Sequence, residues 1–84
     1  MNVQVFDTHV RTLEGAYLHF DVLIEGQDQA LAARHARDWL ASRGVMAEDM
    51  AQSRCQFCHS EPAHPEVAAA IAQQGYFIIP LQGC

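Results

Sequence analysis

Ala16-Tyr17-Leu18-His19-Phe20-Asp21-Val22-Leu23-Ile24 is the stretch that decides how this chain folds. Its residues alternate, with Leu18, Phe20, Val22 and Ile24 on one face, the period of a strand with one side turned to a core. A second alternating run covers residues 2 to 10. Between the two, Glu14-Gly15 is a turn signal, and Gly15 suits a positive φ. Residues 2–10 and 16–25 therefore read as two strands of one hairpin.

Gly26-Gln27-Asp28 breaks the second strand, and Asp28 is a suitable N-cap for a helix. The helix is expected from about Gln29 to Arg43, rich in alanine and stopped by Gly44. Ala32, Ala36, Trp39 and Leu40 form its buried stripe, with Leu31 at the edge, while Arg34, Arg37 and Asp38 are solvated. His35 falls at the boundary with solvent. Val45 to Arg54 has no period and reads as a loop carrying Met46 and Met50. Residues 54–60 fit either a short strand or a turn. Pro65 then opens a second helix, Pro65 to Gln74, with Glu66 in its first turn. Val67, Ala70 and Ile71 face inward and Gly75 ends it. Tyr76 to Leu81 is a last strand, which Pro80 places at or near a sheet edge. The order β-β-α-(β)-α-β predicts a two-layer α+β domain over residues 1–84, a small mixed sheet with both helices on one face.

Composition narrows the function classes. At 84 residues the chain is one domain, of a size at which the core alone is marginal. Half of it is apolar, enough for a packed globule. Ten Asp and Glu face five Arg, with no lysine, a net charge of −5. Phosphate-backbone binding draws on clustered cations, so neither nucleic acid nor an anionic membrane surface is an expected partner. No apolar run approaches the ~20 residues of a membrane span, and the N-terminus lacks the pattern of a signal peptide. The expected compartment is the cytoplasm, where thiols stay reduced; three cysteines also suit a disulfide framework poorly.

Cys55-Gln56-Phe57-Cys58-His59 is the motif with most chemistry in it. C-x-x-C-H spells a haem attachment site, half a zinc site or a redox dithiol. Covalent haem is the weakest reading, because attachment takes place outside the cytoplasm. Zinc is the better one: Cys55 and Cys58 supply two thiolates, and His59, His64 and Cys84 are candidates for the rest. In a true strand, however, Cys55, Phe57 and His59 point one way and Cys58 the other. A redox dithiol wants a helix directly after the motif, and Ser60-Glu61-Pro62 intervenes. The plainest reading, cysteines as small buried hydrophobes, stands ahead of all three.

A second polar group lies on the hairpin. Asp7, His9, His19 and Asp21 all occupy odd positions and hence one face. A hairpin centred on Leu13 sets Asp7 opposite His19, the beginning of a general-base arrangement that makes Asp7, His19 and Asp21 candidate catalytic residues. A solvated, hydrogen-bonded sheet surface is the simpler account of the same pattern.

Val3-Gln4-Val5-Phe6-Asp7-Thr8, His19-Phe20-Asp21, Cys55-Gln56-Phe57-Cys58-His59 and Gly75-Tyr76-Phe77-Ile78-Ile79 with Gly83-Cys84 follow one another as four blocks. In this the whole chain resembles the small bacterial family catalogued as domain of unknown function two thousand and twenty-four. The resemblance implies a compact α+β domain and no activity. The leading reading is a non-enzymatic binding module for a protein or small-molecule partner or a metal, with Cys55, Cys58, His59 and Cys84 as its candidate site. The alternative is a small thiol-dependent redox or hydrolytic enzyme using Cys58, with His59 or His19 as base. A homodimer through the edge strand around Pro80 is a third.

Overall fold

The computed structural model describes residues 1–45 and 52–82. Met46, Met50 and Cys84, named above, lie outside them. The described chain runs β1 (Asn2–Arg11), β2 (Tyr17–Ile24), α1 (Gln29–Ser42), β3 (Gln52–Pro62), α2 (Pro65–Gln74) and β4 (Phe77–Gln82). The α+β class and the expected order of elements both hold. Residues 54–60 are strand, inside an eleven-residue β3.

The hairpin closes through a three-residue loop, Leu13-Glu14-Gly15. Thr12 accepts from the Gly15 N–H at 3.0 Å and donates its own N–H to the Ala16 carbonyl at 2.9 Å. Gly15 has φ +90°, which a side chain would resist. A loop of this length centres the hairpin on Glu14 rather than Leu13. Asp7 therefore faces Asp21, and His9 faces His19. Because the centre moves by one residue, every partner moves by two, and parity survives.

All pairings in the sheet are antiparallel, in the order β3-β1-β2-β4, where the sequence reading expected a mixed sheet. Both helices return the chain to the sheet in the opposite sense to the strand it joins. The larger difference concerns the layers: the helices cover opposite faces, not one. Phe6, Val10, Phe20, Val22 and Ile24 pack with Ala32, Ala36 and Leu40 of α1. Val3, Val5 and Leu23 pack with Val67 and Ile71 of α2. Even-numbered side chains of β1 and β2 thus serve α1 and odd-numbered ones serve α2. The reason is visible in the residues: Val3, Val5 and Leu23 make the odd face apolar at one end, so that end also needs a cover.

Local signals place the helices. The Asp28 carboxylate accepts from the Leu31 N–H at 3.1 Å, closing the first turn of α1. Pro65 opens α2, and Gly75 ends it at φ 94°. His35 is half-buried and stacks on Tyr76, with ring centroids 4.7 Å apart. Pro80 does lie on an edge strand, β4. Among the described residues no helix is long and apolar enough to cross a membrane.

Candidate functional site

α2 is ten residues long and its buried partners are Val3, Val5 and Leu23, so it covers one end of the odd face. At the other end that face carries Asp7, His9 and Arg11 of β1, Tyr17, His19 and Asp21 of β2, and Arg54 of β3 opposite His9. The strand geometry that buries Phe6, Thr8 and Val10 beneath α1 turns Asp7 and His9 to this side. Their backbone is held by two neighbouring strands, which fixes the directions of the side chains.

Asp7 is the hub. One carboxylate oxygen accepts from Nε2 of His9 at 2.7 Å and the other from Nε2 of His19 at 2.5 Å. The two imidazoles stack, centroids 4.2 Å apart and planes within 13°. Nδ1 of His9 contacts the Tyr17 hydroxyl, and Arg11 lies over the Tyr17 ring, 5.4 Å from its centroid. Ligand atoms of Asp7, His9 and His19 lie within 4.8 Å of one another. They are the one group of three or more with that spacing among the described residues.

The two acids at the site are pushed in opposite directions. Partial burial works to raise the pKa of Asp7, but the hydrogen bonds and charge of His19 and His9 outweigh it and hold the carboxyl below its usual 3.8. Burial raises Asp21 above 3.8, and the negative charge of Asp7 opposite adds to the rise. Beside the cluster lies an open groove of about 300 Å³ lined by His9, Val10, Arg11, Tyr17 and Arg54.

The C-x-x-C-H residues lie elsewhere. Thr8 pairs with Cys55 and Phe6 with Phe57, but the next pair is Val5 with His59. Cys58 is therefore the extra residue of a β-bulge. Cys55 stays on the α1 side, where it packs against the core and accepts from Thr8 Oγ1 at 3.4 Å. Burial pushes its thiol up from 9.0, against a smaller lowering by the Thr8 hydrogen bond. Phe57 meets Phe6 edge to face at 5.7 Å. The bulge carries His59 to the opposite side from Phe57. Cys58 is exposed, its Sγ 3.2 Å from Nδ1 of His59, and Nε2 of His59 lies 3.6 Å from Glu61. His64 is the exposed N-cap residue of α2. Cys55, Cys58, His59 and His64 form no group of three with ligand spacing; Cys84 is outside the described residues.

The structure thus brings together Asp7, His9 and His19, with Asp21 across from Asp7. Sequence reading did not include Tyr17, Arg11 and Arg54 in the site. The first two were accessible by parity, since both are odd positions on the hairpin. Arg54 was not, because it joins through the pairing of β3 with β1.

The family model described as Domain of unknown function (DUF2024) matches residues 1–81. The chain belongs to this family. The DUF2024 match spans every described strand and helix except Gln82, the last residue of β4. A solved structure of protein NE1680 from Nitrosomonas europaea, determined by NMR, is 42% identical. It aligns over 100% of this DUF2024 chain and 99% of its own, with a TM-score of 0.80. Among curated proteins nothing matches.

Proposed function

We propose that the protein is a binding module that holds one divalent transition metal, zinc first, between His9, His19 and Asp7. The observation that carries this is the convergence of two imidazoles and one carboxylate within 4.8 Å on two paired strands. Two histidines and one carboxylate form a ligand set suited to zinc and to iron(II), and leave coordination positions open to a further ligand. The Tyr17 hydroxyl at Nδ1 of His9 is the kind of outer partner that orients a ligating imidazole. A metal on these residues ties β1 to β2, a useful staple in a domain of this size. Free thiols at Cys55 and Cys58 fit a cytoplasmic setting.

Titration of chelator-stripped, tag-free protein with cobalt(II), followed by its visible spectrum, tests the reading. One equivalent should bind, and His9→Ala or His19→Ala should abolish it, while Cys58→Ser leaves it intact. Binding that survives both histidine changes and is lost in Cys55→Ser and Cys58→Ser would move the metal to the cysteine segment instead.

A second reading has its own observation. His59 lies between Cys58 and Glu61, 3.2 Å from the thiol through Nδ1 and 3.6 Å from the carboxylate through Nε2. Fast, single-site alkylation of Cys58 that slows in His59→Ala would favour a thiol chemistry at the β3 edge.

A further inference from the structure

We infer that the groove beside the histidine cluster is a subsite for a small oxyanion, a carboxylate or phosphate group, gripped by Arg54 and Arg11. The inference deepens the metal reading: the anion would occupy the groove next to the open side of the metal.

The argument starts from charge. The chain is acidic overall, −5, and has only five cationic side chains, all arginine. Two of the five line one groove of about 300 Å³, a volume at the lower end of small-molecule sites. Arg54 reaches it because β3 pairs Arg54 with His9, and Arg11 because β1 pairs it with Tyr17. The other three lie away from it: Arg34 is 4.0 Å from Asp38 within α1, Arg43 lies over Trp39, and Arg37 lines a separate small pocket with Cys55. Among the described residues neither Arg11 nor Arg54 has a carboxylate partner, and both are exposed. Nearby carboxylates would normally attract them: Asp7 is on the same face, but it accepts from both histidines. The guanidinium fork matches carboxylate and phosphate oxygens and keeps its charge at every working pH.

Tyr17 also lines the groove, and its hydroxyl adds a polar group to it. Arg11 lies over the Tyr17 ring, a contact that keeps its exposed guanidinium beside the groove. Net negative charge over the rest of the surface disfavours long polyanions, so the fit is to a compact ligand and not to a nucleic acid.

Calorimetric titration of inorganic phosphate, and separately of succinate, into zinc-loaded and chelator-treated protein tests the inference. Zinc affinity is measured first and by itself. The expected result is oxyanion binding to the zinc-loaded protein that weakens tenfold or more in Arg54→Gln and in Arg11→Gln. Arg54→Lys should recover part of it, and zinc affinity should change less than twofold in all three. Preference for phosphate or for succinate tells which oxyanion the groove is shaped for. Anion binding indifferent to both arginines, or no anion binding in either state, overturns the subsite. If zinc fails to bind, the metal reading falls alone, and the metal-free titration decides the groove: anion binding lost in Arg54→Gln sustains the subsite, and its absence overturns it.

Discussion

Asp7 and Asp21 face one another across β1 and β2, and their carboxyls answer to opposite forces. The folded state favours ionised Asp7, so that residue stabilises the fold above pH 3.8, and the contribution disappears as pH falls through its lower folded value. The folded state disfavours ionised Asp21, so its contribution is whole below 3.8 and declines as pH rises through its higher folded value. Opposite outcomes follow. Thermal melts at pH 7 should show Asp7→Asn lowering Tm and Asp21→Asn raising it, and both differences should shrink toward zero in strong acid. The two thiols of the C-x-x-C segment divide in a comparable way. Cys55 is half-buried with a raised pKa, whereas Cys58 is exposed on a bulge. Intact-mass analysis during iodoacetamide treatment at pH 8 should find Cys58 modified first and Cys55 slowly. Parity alone put Asp7, His9, His19 and Asp21 on one face from the sequence. Which of them face one another was set by a turn centred one residue later than expected, on Glu14 and not Leu13.

Among the elements, the helices were the legible ones, because their ends carry their own chemistry. Asp28 caps α1 and Gly75 ends α2, both where the residue types call for it. Gly75→Ala should cost about 1 kcal/mol in chemical denaturation, from the left-handed φ rather than a clash. A Cβ there would meet His35 at an ordinary 3.7 Å. β3 was the illegible element. Its sequence is mostly polar and has no clean alternation, since it is an edge strand whose odd and even sides both meet solvent over much of their length. The bulge at Cys58 then inverts the phase midway. What makes it a strand is the full-length partner β1, a tertiary influence that no local pattern contains.

Across the whole molecule, one sheet supports two cores of unequal size. Among the described residues, the α1 side buries Phe6, Phe20, Leu40 and five others, while the α2 side closes on Val3, Val5, Leu23, Val67 and Ile71. The layers escaped the sequence reading because Leu18, Phe20, Val22 and Ile24 drew attention to a single apolar face. Val3, Val5 and Leu23 were the counter-signal. The smaller core predicts that α2 opens before the rest. Native-state amide exchange should show α2 losing protection at a lower free energy than the amides of β1 and β2. Phe20→Ala, at the centre of the larger core with no exposed surface, should cost about 3–5 kcal/mol.

The alternation along β1 carries a consequence for how such a protein can change over generations. Phe6, Thr8 and Val10 answer only to the interior, and Asp7, His9 and Arg11 only to whatever the open face meets. The second half of this ten-residue strand therefore carries two interleaved texts, whereas in its first half Val3 and Val5 commit the odd positions to the α2 core as well. Descendants of this scaffold can change the chemistry of the open face at positions 7, 9 and 11, while the codons between them keep the α1 core.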